Sequence, residues 1–154
     1  MVASESPASS TASADSQFSH PASLMGLLVL RSMNIAHARL HRWGLKAAGI
    51  QPSDKVLDIG CGGGKALARI LAQTRREVAG IDHSPEAVET SRRVNRAAVA
   101  SGRLRVLQGS VDDLPFRDGF FDAVTAFETT YFWPDLQAGL IEIRRVLSPG
   151  GRLV

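Results

Sequence analysis

Lys55-Val56-Leu57-Asp58-Ile59-Gly60-Cys61-Gly62-Gly63-Gly64-Lys65 decides the fold of this chain. Lys55 to Ile59 reads as a short buried strand, and Lys65 to Thr74 as a helix. Between them, Gly60, Gly62, Gly63 and Gly64 crowd into five positions. A strand-to-helix turn alone needs fewer glycines than that. Gly60 permits a sharp turn off the strand, while Gly62 and Gly64 let the backbone approach a ligand with no side chain in the way. The helix that follows offers unpaired N–H groups at its start. The stretch therefore predicts a nucleotide-type binding loop at the carboxyl end of a strand, where open α/β sheets place their ligands.

Downstream, strands and helices alternate. Glu77 to Ile81 reads as a second strand, and Pro85 to Ala100 as a second helix with Ser84 as its N-cap. Leu104 to Leu107 and Phe121 to Ala126 read as the third and fourth strands. A helix is predicted over Asp135 to Leu147, stopped by Pro149-Gly150-Gly151, with Arg152 to Val154 beginning a fifth strand. This order implies an α/β fold, a doubly wound, mostly parallel sheet with helices on both faces. The chain stops inside that fifth strand, so the expectation is a domain over 51–154 with an incomplete C-terminus. Upstream, Met1 to Ser23 reads as a disordered leader: Met1 to Ser19 lacks Lys and Arg and is rich in Ser and Ala. Residues 24–50 show helical spacing of apolar positions and read as an N-terminal helical cap, closed at Gly44 or Gly49.

Composition narrows the class. Hydrophobic residues make up 44% and charged residues 21%, as in ordinary globular domains. A net charge of +3, spread along the chain, argues against nucleic acid as a partner. Arg92, Arg93, Arg96, Arg103 and Arg105 read as a solvated helix face and strand edge. The single cysteine, Cys61, excludes an internal disulfide and fits a reducing cytoplasm. The most apolar run, Leu24 to Leu30, is far shorter than the roughly 20 residues that cross a bilayer. His37 and His41 share a helix face but lack a third ligand, so no metal site is expected. Composition leaves the oligomeric state open.

The residues around the loop discriminate between cofactors. The dinucleotide pattern G-x-G-x-x-G fails because Lys65 stands where the third glycine belongs, and the P-loop fails because Ala66 follows Lys65. Asp58 adds a carboxylate that would repel a pyrophosphate but suits the amino group and sulfonium of S-adenosyl-L-methionine. Asp82 lies at the end of the second strand, about 20 residues past the glycines, where a carboxylate can accept both ribose hydroxyls; as a plain alternative it caps a turn. His83 fits either the adenine face or an exposed loop. Ser110 and the Val111 backbone, after the third strand, are candidates for the adenine edge. Cys61 reads as a small filler of the loop, since it has no paired base. After the fourth strand, Phe127-Glu128-Thr129-Thr130-Tyr131-Phe132-Trp133-Pro134 gathers aromatics around an acid. Phe132 and Trp133 fit either a substrate pocket or a staple for the next helix. Glu128, with Tyr131 nearby, is the candidate to hold a substrate or take its proton.

These stretches, in this order, resemble the class I S-adenosylmethionine-dependent methyltransferases, and among them the methyltransferase type 11 group. The likeness rests on the glycine loop, Leu114-Pro115-Phe116, Phe120-Phe121-Asp122 and Arg145-Val146-Leu147-Ser148-Pro149-Gly150-Gly151. It implies a Rossmann-like sheet whose last two strands are missing here. It also implies that Asp58, Gly60 and Gly62 hold the methionine part of the cofactor, Asp82 the ribose and the Ser110-Val111 region the adenine. The Phe127 carbonyl would face the cofactor's amino group. The implied activity is methyl transfer to a small-molecule acceptor. A nicotinamide-dependent oxidoreductase and a non-catalytic cofactor-binding fragment are the alternatives.

Overall fold

In the computed structural model, residues 41–154 are described. The leader, most of the expected cap and His37 lie outside them. Helix α1 covers 41–48 and is closed by Gly49, whose φ of 55° suits a helix terminus that only glycine adopts without strain. Strand β1 (Val56–Ile59) leads through the glycine loop into α2 (Lys65–Leu71). Then come β2 (Val78–Asp82), α3 (Pro85–Val94), α4 (Arg96–Ala100), β3 (Leu104–Gln108) and β4 (Phe121–Thr125). A single 3-10 turn (Thr130–Phe132), α5 (Leu136–Val146) and β5 (Leu147–Leu153) complete the order.

The five strands form one sheet in the order β3-β2-β1-β4-β5, every pair parallel. β1 is buried along its whole length, which explains its apolar run. Its side chains alternate between two cores. Val56 joins Leu45 and Ala48 of α1, Leu67 and Ile70 of α2 and Val88 of α3 on one face. Leu57 and Ile59 join Ile143 and Val146 of α5 on the other. There, Val111, Leu114 and Phe116 of the segment between β3 and β4 cover what α5 leaves open. The order reverses between β1 and β4, and this switch point opens the crevice in which the glycine loop sits.

The expected Ser84 cap is present: Ser84 accepts from the Ala87 N–H, with Pro85 at the first helical position. Asp135, expected inside the last helix, is instead its N-cap and accepts from Gln137 and Ala138 N–H. Three further local expectations are corrected. The helix over Pro85 to Ala100 breaks at Asn95, whose amide donates to both Ser91 O and Gly64 O at 3.0 Å and so competes with the helical ladder. β5 begins at Leu147 rather than Arg152, because Leu147 pairs with Phe121 directly after α5. The register then slips, and Pro149-Gly150-Gly151 bulges out before Arg152 and Leu153 pair with Ala123 and Val124. Among the arginines taken as solvated, Arg92 donates to Val106 O and Arg103 to Leu71 O and Thr74 O, so both stitch elements together. No helix among the described residues is long and apolar enough to cross a membrane.

Two long-range clasps close the domain. Arg145 of α5 pairs with Glu142 at 2.7 Å and Asp118 at 2.8 Å, and it donates to Leu114 O and Phe116 O. Arg152 of β5 donates to Ala48 O and Gly49 O, carbonyls at the end of α1 that the helix itself does not pair, and pairs with Asp54.

Three stability outcomes follow from this packing. Gly64 has φ of 76°, and a Cβ there would lie 2.6 Å from both Asn95 Nδ2 and Ser91 Oγ. Gly64→Ala should cost about 2–4 kcal/mol in urea unfolding, combining left-handed strain with overpacking. Gly150→Ala, equally left-handed but in open space, should cost only about 1 kcal/mol. Arg145→Met should cost about 1–2 kcal/mol, since it strips two carbonyls and two carboxylates of their shared donor in a partly open site.

Candidate active site

The carboxyl ends of β1, β2 and β4 converge on a cleft of about 180 Å³. Gly60 forms one wall, Asp82 and His83 the second, Gly109, Ser110 and Val111 the third. The fourth is the loop after β4, through Thr129, Phe132, Trp133 and Pro134. Five of the residues expected at the cofactor therefore share one cavity.

The glycine loop is held from within. Gly60, Gly62 and Gly64 all have φ in the left-handed region, at 69°, 50° and 76°. The Gly60 and Cys61 N–H groups both donate to Ile81 O, at 2.8 and 3.1 Å. The Gly62 N–H donates to Asp82 Oδ2 at 2.8 Å, and the Ser84 N–H to Asp82 Oδ1 at 3.0 Å. Asp82 thus anchors the glycine loop to β2 while its carboxylate still borders the cleft. Gly80 has its own constraint, because a Cβ there would press on Leu67 and on the Cys61 sulfur.

Asp58 lies just under the loop, with 2% of its surface exposed. Thr125 of β4, its register partner in the parallel ladder, donates its hydroxyl to Asp58 Oδ1 at 2.6 Å. Burial pushes the Asp58 carboxyl up to about 7; the Thr125 hydrogen bond opposes that rise and the Asp82 charge adds to it. Cys61 is likewise buried, and desolvation, followed by the Asp58 and Asp82 charges, pushes its thiol up to about 12. It is a neutral thiol inside the loop. Among the described residues neither Asp58 nor Asp82 has a Lys or Arg partner; Asp82 has His83 at 3.6 Å. Two buried carboxylates without a guanidinium or ammonium form a site that favours a cation and hydroxyl donors.

The loop after β4 faces two ways. Thr129 packs on Gly60 so closely that any side chain there would strike it, and it accepts from Trp133 Nε1 at 3.3 Å. Phe127 turns toward α1, where its ring stacks on His41 at 5.1 Å and fills the space that a side chain at Gly44 would need. Glu128 adopts φ of 55°, a conformation costly for any residue but glycine, and its carboxylate lies 4.0 Å from His41 Nε2. Tyr131 is 87% exposed on the 3-10 turn and lies outside the cleft. The sequence did not single out Thr125, Thr129 or His41 for this site; no local motif marks them, and only strand register and helix docking bring them in.

A larger hollow of about 500 Å³ opens at the opposite end of the sheet, along Val78, Arg105 and Phe121. Arg105 lies over Phe116 there, and Lys55 and Arg117 over Phe120. None of the expected site residues reaches it.

This geometry has close counterparts. A family model described as a methyltransferase domain matches residues 57–154. The chain is 38% identical over 120 residues to sterol 24-C-methyltransferase ERG6B of Gibberella zeae, covering 78% of this chain and 32% of that one. It is 35% identical to the ubiquinone/menaquinone biosynthesis C-methyltransferase UbiE of Geobacter sp. (strain M21), covering 75% of this chain and 50% of the relative. Among solved structures, a geranyl diphosphate methyltransferase in complex with GPP and sinefungin superposes with a TM-score of 0.68 at 26% identity, over 75% of this chain and 43% of that one. The chain thus spans between a third and a half of the length of these proteins. The parallel sheet, the glycine loop at its switch point and the match over 57–154 together show that the chain belongs to the class I S-adenosylmethionine-dependent methyltransferases.

Proposed function

We propose that this domain binds S-adenosyl-L-methionine in the cleft beside the glycine loop and transfers a methyl group to a small-molecule acceptor. The observation that carries this reading is the pair of buried carboxylates, Asp58 and Asp82, which lack a Lys or Arg partner among the described residues. When bound, the cofactor supplies an activated methyl group on a sulfonium centre. Asp58 holds the amino group of its methionine part, with the backbone of Gly60, Cys61 and Gly62 alongside. Asp82 accepts from the ribose hydroxyls, keeping its Gly62 bond through the spare acceptor capacity of a carboxylate. Ser110 and Val111 border the adenine, and His83 lies along its face. The Phe127 carbonyl serves the amino group from the β4 side.

Glu128 is the residue proposed to meet the acceptor. Its left-handed backbone is the kind of local cost that loops retain at working sites. It orients the nucleophile or takes its proton, and His41, 4.0 Å away, can share that proton. Tyr131, exposed on the same loop, borders the acceptor's approach. The names of the similar proteins, a sterol, a ubiquinone/menaquinone biosynthesis and a geranyl diphosphate methyltransferase, support a small molecule with a sizeable hydrocarbon part as acceptor and give no support to nucleic acid. Cytoplasmic action is part of the proposal and rests on the unpaired Cys61.

S-adenosylhomocysteine at 100 times its Kd should stabilise the fold by about 2.7 kcal/mol in a thermal-shift experiment, whereas NAD should leave the melting temperature unchanged. Stabilisation by NAD alone would sink the proposal. Asp82→Ala should weaken S-adenosylhomocysteine at least about tenfold by calorimetry. Glu128→Gln should lower turnover by about 10²–10⁴-fold over a panel of sterol, quinol and prenyl diphosphate acceptors, with cofactor affinity unchanged; equal turnover would remove Glu128 from the chemistry.

A further inference from the structure

Asp58 owes its position to a residue on another strand. Parallel pairing sets Asp58 of β1 opposite Thr125 of β4, on the face that also holds Val56 and Ala123. Thr125 is fully buried, and its hydroxyl lies 2.6 Å from Asp58 Oδ1 and 3.4 Å from Leu57 O. The nearer oxygen is the better acceptor, so the proton points to the carboxylate. This is the one side-chain hydrogen bond that Asp58 receives among the described residues.

The surroundings otherwise work against a charge at Asp58. Asp82 faces it from β2, and the neutral thiol of Cys61 from the glycine loop. The residues that α1 and α2 bury on this side are apolar: Leu45, Ala48, Ala66, Leu67 and Ile70. α3 adds Ser91, and the break after it Asn95, neither of them ionisable. His41 of α1 stands beside Glu128, and His83 beside Asp82. A lone hydroxyl donor therefore has a large share in whether Asp58 is ionised when a cationic ligand arrives.

We infer that Thr125 is a positioning residue of the cofactor site: its hydroxyl fixes one rotamer of Asp58 and favours the charged form of that carboxyl. The inference rests on reading Asp58 as the acceptor of the cofactor's amino group. Its physical content is a coupling between β4, whose following loop carries Glu128, and the acid on β1. Ionised Asp58 attracts the ammonium and protonated Asp58 does not, so ligand affinity rises with pH through the Asp58 midpoint until the ligand's own ammonium begins to lose its proton.

Carboxyl-carbon NMR of the full chain, without ligand, measures that midpoint directly, with Asp58→Asn assigning the signal. In Thr125→Val the midpoint should move up by about one pH unit, because the charged form loses the stronger hydrogen bond. Thr125→Ser should restore the wild-type value. A midpoint unchanged in Thr125→Val would overturn the inference. If the valine variant does not fold, Thr125→Cys, a weaker donor of similar size, must give a midpoint above that of Thr125→Ser, and equality would overturn it just as well. Calorimetry with S-adenosylhomocysteine between pH 6 and 9 then tests the link to the ligand. Near pH 7 the valine variant should bind about fivefold more weakly, with the gap closing at high pH. Imidazoles titrate in the same window, so Asp58→Asn serves as the control that must flatten the Asp58 step. A midpoint that moves without any change in binding would leave Thr125 as the partner of Asp58 but would refute Asp58 as the cofactor's acceptor.

Discussion

β1 is hydrogen-bonded in parallel on both edges, to β2 and to β4, and the carboxyl end of the sheet depends on that double pairing. The two neighbours leave in opposite directions, so a crevice opens where β1 ends. Parallel registry brings three strands level near their carboxyl ends: Asp58 beside Gly80 on one side and Thr125 on the other. Gly80 leaves room there for Cys61 and Leu67, so the glycine loop can fold back over the sheet. Ile81 O then takes two loop N–H groups, and Asp82 takes a third. A sheet built in another order would have the same residues and no cleft.

The site this produces is electrostatically unfinished. Buried carboxylates normally meet a guanidinium or an ammonium. Here the partners are a threonine hydroxyl, two backbone N–H groups and an exposed imidazole. Such an arrangement costs stability in the free protein and is relieved when a cationic ligand docks. The same desolvation that raises the Asp58 pKa makes its attraction to a cation stronger than it would be at the surface.

Features governed by neighbours in sequence were legible in advance. The strand–glycine–helix unit and the Ser84 cap with Pro85 depend on a few consecutive residues, and the structure has them where the sequence placed them. Features that depend on distant partners were not legible. Asn95 breaks its helix because Gly64 O comes within reach of its amide, a contact across 31 positions. β5 starts early because Phe121 waits beside Leu147. Arg92 and Arg103 carry the same charge pattern as solvated residues, yet they end on carbonyls of other elements. Thr125 and Asp58 are 67 residues apart, and nothing local to either announces the other.

The Arg152 clasp has a kinetic meaning. It joins β5 to the end of α1 across 104 positions, and to Asp54 across 98. A contact of that span forms only after the intervening sheet has brought its partners together, since closing so long a loop in an unstructured chain gains too little to offset the lost entropy. α1 is therefore held twice: by short-range packing of Leu45 and Ala48 on Val56, Leu67 and Ile70, and by Arg152, whose tie can form only when β5 is in place. The far edge of the sheet thus adds the last constraint on the helix that carries His41 and its stack on Phe127.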